Sequence, residues 1–376
     1  MSMVLTLLCP SAQGTPKTYV KLFSMQYVIK NTFMNMHLIC FLLLIFSSCK
    51  KENDAQLVDQ EYLYPIRDHR GWGYINKDGK EVIVPKYISA GFFIGSRALV
   101  SNRLHTMLID LKGKEILKFK NEHLLLPLDL NEKALKVEQP DSIQLFNLDG
   151  EKVFVQSRKK FHYLSSTINC NRILTSSMGD RFQYLDSKGK VRLEFNRGSP
   201  NDFDEETALA AIFFKNKTCF IDTLGKTRFC VKDMGQNGFS SGLALIENGT
   251  KKYFIDSYGK KILEVSHYEN VSSFINGIAK VSKGGKSGLI DKTGRAVIPL
   301  IYSGVEYFSC GAVVVKPTKA RKYYFVDQNN QRIMDQSFDY VEFPGFVRDL
   351  AWVVDGNKKG WINKKGEFVW IEEVRK

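Results

Sequence analysis

Absences narrow the field first. The chain has seven cysteines but no CxxC pair and no Cys/His spacing of the kind that holds zinc. Its six histidines (His37, His69, His105, His123, His162 and His267) form neither an HExxH motif nor a close ligand pair, and they read as surface or loop residues. No GxSxG nucleophile elbow occurs. The segment KGGKSG (283–288) hints at a phosphate loop. That motif needs another glycine five residues before Gly285, where Lys280 stands, and the segment precedes a predicted strand rather than a helix. No apolar run around Leu38–Phe46 reaches the roughly twenty residues that a membrane-spanning helix requires; it has nine. The expectation is therefore a protein with no metal site, no cofactor and no covalent catalyst.

What is present can build a large core. Of 376 residues, 44% are hydrophobic and 12% aromatic, which excludes disorder by composition. The formal net charge is +14, and residues 1–48 contribute Lys17, Lys21 and Lys30 with no acid. A basic surface favours anionic partners such as acidic glycans, lipid head groups or nucleic acid, unless the lysines merely keep exposed turns soluble. Basic clusters occur at Arg158-Lys159-Lys160, at Lys319, Arg321 and Lys322, and at Lys358-Lys359 with Lys364-Lys365. Tyr323, Tyr324 and Trp361 lie beside two of them, an arrangement that could grip an acidic polysaccharide or a nucleic-acid strand. Lysines also favour exposed hairpin ends and sheet edges, where they discourage aggregation. Cys170, Cys219, Cys230 and Cys310 fall in the body of the chain; Cys219 and Cys230 flank one predicted hairpin, and face each other if its register allows. Otherwise they are two buried free thiols.

The N-terminal region reads as an address. Leu38–Phe46 suits the apolar segment of a signal peptide, with Lys30 before it. The tail Phe46-Ser47-Ser48-Cys49 resembles the lipobox of bacterial lipoproteins, which implies that Cys49 is acylated and becomes the first residue of the mature chain. An ordinary cleaved signal peptide, with Cys49 incidental, is the alternative. The expected organisation is a segment 1–24 that is either outside the translated start or disordered, a lipoprotein signal peptide over 25–48, a polar tether over 49–61 and a repeat domain over 62–376. This places the protein in the cell envelope on a lipid anchor, on the outer membrane, and makes nucleic acid a poor partner.

The repeat is the strongest signal. Two apolar residues, an Asp or Asn, two variable residues and a Gly recur as YINKDG, LIDLKG, LFNLDG, YLDSKG, FIDTLG, FIDSYG, LIDKTG, FVDQNN and WINKKG. The anchors are Asn76, Asp110, Asn147, Asp186, Asp222, Asp256, Asp291, Asp327 and Asn363, at intervals of 34, 37, 39, 36, 34, 35, 36 and 36 residues. The closing residues are Gly79, Gly113, Gly150, Gly189, Gly225, Gly259, Gly294, Asn330 and Gly366. Asp or Asn opens a turn by bonding backbone N–H groups just ahead. Glycine then supplies the positive φ that returns the chain, and Asn is the best substitute. The row of carboxylates and amides therefore reads as turn machinery rather than a catalytic or calcium site.

Each turn separates two strands, and a third precedes it by some ten residues, as in RALV (97–100) and IAKV (278–281). Paired apolar residues before every turn point to opposite faces, so that strand is covered on both sides. The segment between the second and third kinds of strand carries aromatics such as Phe274 and Phe308 and leaves room for a short fourth strand. Three firm strands per unit, a repeat shorter than the roughly 40–45 residues of a propeller blade, and nine units where propellers hold four to eight favour an open, curved, solenoid-like all-β stack. A closed β-propeller is the alternative.

GWGYINKDGKEVIVPKY (71–87) resembles the bacterial WG-type repeat, in which Trp-Gly precedes an aromatic-Ile-Asp, a Gly-Lys turn and a Val-Ile-Pro. KSGLIDKTGRAVIPLIY (286–302) and KKGWINKKGEFVW (358–370) are similar, whereas SIQLFNLDGEKVF (142–154) keeps only the turn. The resemblance supports the fold and is not to an enzyme class. The functional expectation is a lipid-anchored envelope protein binding an unidentified protein or acidic glycan. The alternatives are a structural spacer and a glycan-active enzyme drawing on Glu247, Glu264, Glu269, Glu306 or Glu342.

Overall fold

The computed structural model describes residues 62–376 apart from 122–124, 131–132, 160, 166, 178–180, 233 and 373–376. Cys49 and the expected signal peptide and tether lie outside the described residues. Within them there is no α-helix, and the chain forms eight antiparallel sheets in sequence order. The second sheet is representative: Ser89–Ala90, Ala98–Ser101, His105–Ile109 and Glu115–Lys120 pair in that order, from inner to outer strand. The inner strand is real but short, two residues here and in Ser199–Pro200 and Asn270–Val271. The unit is thus four-stranded, one strand more than the three firm ones read from the sequence.

Eight sheets accommodate nine repeats because one sheet has six strands. Its long strand Ala296–Val305 pairs through Tyr302 with Ser287 on one side and with Pro317 on the other, fusing two units. The first unit has three strands among the described residues, Tyr64–Asp68, Gly71–Ile75 and Glu81–Tyr87.

Neighbouring units join by a repeating aromatic contact. At five junctions the third-strand residue two places before the Asp or Asn meets a Phe at the inner strand of the next unit, whereas Leu108, Leu145 and Leu289 take that position in the other interior units. The pairs are Tyr74–Phe93, Tyr184–Phe203, Phe220–Phe239, Phe254–Phe274 and Phe325–Phe346, with ring centroids 4.9, 4.8, 4.9, 4.6 and 4.7 Å apart. All ten rings are buried. Past the inner strand the chain turns sharply into the second strand through a positive φ, at Gly95, Gly242, Gly277, Gly311 and, without glycine, at Cys170, Ala208 and Arg348.

The turn residues show how the array ends. A Cβ built on Gly113 meets Ile83, on the outer strand of the preceding unit; one on Gly189 meets Phe154, and one on Gly259 meets Phe229, in the same relation. Gly79, in the first unit, has the backbone of Val369 in that place, on the outer strand of the last unit. The last unit therefore precedes the first in space as it would in a ring. Trp361 Nε1 donates to Pro65 O at 2.8 Å, and Asp349 N donates to Tyr64 Oη at 3.1 Å, across 296 and 285 residues. The array is a closed β-propeller. This corrects the open, solenoid-like reading: repeat length and copy number pointed to an open stack, but both ends present complementary buried surfaces.

Candidate functional site

The turns come first, since they hold the most repeated polar residues. Each of the nine Asp or Asn side chains accepts two backbone N–H groups through Oδ1, as Asn76 does from Asp78 (3.1 Å) and Lys80 (2.9 Å), and Asp222 from Leu224 and Lys226 (both 3.0 Å). The same bonds form at Asp110, Asn147, Asp186, Asp256, Asp291, Asp327 and Asn363. The closing residues Gly79, Gly113, Gly150, Gly189, Gly225, Gly259, Gly294 and Gly366 all have φ between 76° and 87°, and Asn330 has φ 60°. The structure spreads these residues one per unit and does not gather them into a site. Hydrogen bonds from Lys190 N and Arg192, together with nearby charge, hold the Asp186 carboxyl below its usual range, and those from Thr293 and Arg295 do so for Asp291.

The glycine of the Trp-Gly pair has a different reason. A Cβ at Gly73 would meet Ile83 O and Pro85, one at Gly288 would stand 2.6 Å from Ile298 O, and one at Gly360 would be closer still to Trp370 O. Here the outer strand slips in register, from Tyr74↔Ile83 to Trp72↔Tyr87, and presses its backbone onto the third strand. Only a residue without a side chain fits that approach.

The remaining candidates scatter. Lys322 bonds Asp355 (2.6 Å) and Asp339 (3.6 Å), Arg158 bonds Glu138 (2.5 Å), and Lys359 bonds Glu372 (3.0 Å), so each basic cluster is partly neutralised. KGGKSG is a hairpin tip between Ile278–Lys283 and Lys286–Asp291. Glu264 is ion-paired with Lys261, and Glu269 accepts from Gly284 N. Burial pushes the Glu306 carboxyl up, against Lys280 at 3.9 Å. Glu247 and Glu264 sit on one sheet, Glu269 and Glu306 flank strands of the next, and Glu342 lies on the last. Among the described residues, no three His, Cys, Asp or Glu side chains come together as a metal site.

One place does concentrate chemistry. All four tryptophans of the chain, Trp72, Trp352, Trp361 and Trp370, line a cavity of about 230 Å³ where the last unit meets the first. Three form a cross-strand row: Trp352 pairs with Trp361 and Trp361 with Trp370, which puts all three on one face of the last sheet. Trp361 is buried against Tyr64 (5.2 Å) and Phe92 (6.1 Å), while Trp352, Trp370 and Trp72 are half-exposed. Three charged side chains also line the cavity. Glu372 is held by Lys359, Glu342 accepts from Tyr340 Oη at 3.1 Å, and the Arg67 guanidinium stands 5.9 Å from the centre of the Trp72 ring. Sequence reading noted Trp361 only as a neighbour of a basic cluster. The signal was the equal spacing of nine residues from Trp352 to Trp361 to Trp370, which spans two hairpins and brings the three into register.

Residues 72–103, 254–286 and 288–316 match the WG containing repeat. The chain carries WG repeats. Each matched segment runs from a third strand, through the turn, into the next unit; the first holds Gly73 and the Tyr74–Phe93 junction, the second the Phe254–Phe274 junction, and the third Gly288. No curated protein matches the sequence. Among solved structures, the chain is similar in fold to a eukaryotic initiation factor, with a TM-score of 0.60 and 12% identity over 84% of this chain and 98% of that one. Weaker likenesses are to Hsv2p of Kluyveromyces lactis (TM-score 0.41, 11% identity, 63% and 91% covered) and BamB of Moraxella catarrhalis (0.36, 13%, 63% and 80%).

Proposed function

We propose that this WG-repeat propeller is a binding and scaffolding protein of the cell envelope, held to the membrane by a lipid on Cys49, and that it is not an enzyme. The observation that carries the reading is the cavity at the junction of the first and last units. It gathers every tryptophan of the chain around a small number of charged groups, the composition of a ligand pocket. The nine turn acids and amides are taken up by backbone N–H groups, which removes the most numerous alternative. The disulfide between Cys219 and Cys230 suits an oxidising compartment and so supports export.

Because the cavity holds all four tryptophans, their emission, excited selectively over that of the tyrosines, reports on it. Titration of the detergent-solubilised full chain with envelope protein and polysaccharide fractions is expected to shift or quench the emission. Binding of a fraction with unchanged emission would move recognition elsewhere on the propeller. The anchor is tested separately: palmitate labelling is lost in Cys49→Ser, and persistent labelling would reject it. A glycan-active enzyme remains the second reading, because Glu342 and Glu372 line the same cavity. Release of reducing ends from an envelope polymer, abolished by Glu342→Gln, would favour it.

A further inference from the structure

We propose that the cavity at the ring junction is a saccharide subsite that takes a neutral hexopyranose unit of a glycan. This rests on the reading above that the cavity binds a ligand, and it names the ligand's chemistry.

The charges decide among ligand classes. Arg67 opposes a cation, and Glu342 and Glu372 oppose an anion. A neutral ligand rich in hydroxyls can use both signs at once. Carboxylates accept from hydroxyls and the guanidinium fork donates to them, and hydrogen bonds to charged groups are the stronger kind. Two of these side chains are already steered. Lys359 holds Glu372 at 3.0 Å, and the hydroxyl of Tyr340 holds Glu342 at 3.1 Å, so each is oriented before a ligand arrives.

The tryptophans decide in the same direction. A pyranose presents C–H groups on the face of its ring, and the π-face of an indole carries the negative part of its quadrupole. Half-exposed Trp352 and Trp370 supply such surfaces on either side of buried Trp361, in one row on one sheet face. Trp72 closes the opposite wall from the first unit. Size agrees as well: benzene fills an apolar cavity of about 150 Å³, so about 230 Å³ admits one substituted six-membered ring. The cavity exists only in the closed ring, because Pro65, Ile66, Arg67 and Trp72 come from the first unit and Glu342, Trp352 and Trp370 from the last.

The test is a fluorescence titration of the solubilised full chain with glucose, galactose, mannose and N-acetylglucosamine and with their β-linked disaccharides. Choline serves as the cation, glucuronate as the anion and a proline-rich peptide as the aromatic-groove ligand. The expected result is saturable quenching by at least one neutral sugar. A disaccharide binding more tightly than its monomer marks a polymer, and equal affinity marks a free sugar. Trp352→Ala and Trp370→Ala are each expected to weaken binding about tenfold or more, and Glu342→Gln about tenfold, since the stronger hydrogen bonds are lost. Lys364→Ala, an exposed turn side chain away from the cavity, leaves affinity unchanged, and unaltered near-ultraviolet circular dichroism certifies folding of each variant.

Saturation by choline, glucuronate or the peptide with no response to any neutral sugar overturns the saccharide assignment and leaves the binding reading standing. No response to any of them, together with an envelope fraction that binds at unchanged emission, overturns both. A sugar response equal in wild type, Trp352→Ala and Glu342→Gln places the sugar elsewhere and overturns the assignment.

Discussion

The junction between the last and first units differs from the aromatic junctions inside the ring. At an interior junction such as Tyr74–Phe93 or Tyr184–Phe203, an aromatic of one unit meets the inner-strand Phe of the next, and its hydroxyl bonds that strand's backbone. Tyr74 Oη donates to Gly91 O at 2.8 Å, and Tyr184 Oη to Asn201 O. At the closing junction the equivalent residue is Trp361. Among the described residues the first unit has no inner strand to receive it. The longer indole instead reaches Pro65 O and the ring of Tyr64, on the strand one place further out. The tryptophan-lined cavity lies at this junction. Closure and the recognition proposed above are thus two uses of one junction.

The comparison breaks most readily at Trp361 itself. Trp361→Ala is expected to cost about 3–5 kcal/mol, the usual range for deleting a buried aromatic, and to leave the Pro65 carbonyl without its donor. Phe254→Ala, at an interior junction, is expected to cost a similar amount. The two differ in where the loss spreads. Amide hydrogen exchange should rise in both Tyr64–Asp68 and Leu350–Asp355 for Trp361→Ala, and only around Phe254 and Phe274 for Phe254→Ala. If Trp361→Ala loosened the last sheet alone, the first and last units would not be holding each other.

Gly79 and Gly113 sharpen it at smaller cost. Both glycines have positive φ, 80° and 76°, so alanine at either loses about 1–2 kcal/mol from the left-handed backbone. At Gly113 the new methyl meets only the flexible side chain of Ile83, 3.4 Å away. At Gly79 it meets the carbonyl of Val369, which cannot rotate aside. Gly79→Ala should therefore lower the unfolding midpoint more than Gly113→Ala. Equal midpoints would mean that the closing junction is looser than the interior ones.

These contrasts bear on what the sequence could reveal. The turn is written within five residues, Asp222 to Lys226 for example, and the backbone bonds that close it are inside that window. Such a feature is legible one copy at a time. The inner strands are two residues long in three units, too short for an alternating pattern, so the fourth strand left only its aromatic as a trace. Closure depends on pairs separated by 285 and 296 residues, such as Asp349 with Tyr64 and Trp361 with Pro65, and no local pattern encodes it. Copy number and repeat length, the only global quantities available, argued for the wrong arrangement. The cavity was hidden for the same reason: its walls come from opposite ends of the chain, although the nine-residue spacing of Trp352, Trp361 and Trp370 already set one wall in register.

The smallest expected effect separates the two regions by chemistry rather than packing. Both units at the closing junction turn on an amide, Asn76 and Asn363, which cannot titrate. Interior turns at Asp186 and Asp291 use carboxylates whose pKa is lowered by the hydrogen bonds they accept and by Arg192 and Arg295. A carboxylate with a lowered pKa in the folded state contributes stability above its unfolded value, about 3.9 for Asp. That contribution is lost as pH falls through the folded value. Between pH 6 and pH 3, corrected for intrinsic rates, the amide protons of Gly189 and Gly294 should lose protection, while those of Gly79 and Gly366 should not. Asp186→Asn keeps the Oδ1 acceptor and should make Gly189 behave as Gly79 does. Equal acid sensitivity in all four glycines, or no change on Asp186→Asn, would show that the carboxylate and the amide turns are interchangeable and that the acid response comes from elsewhere in the ring.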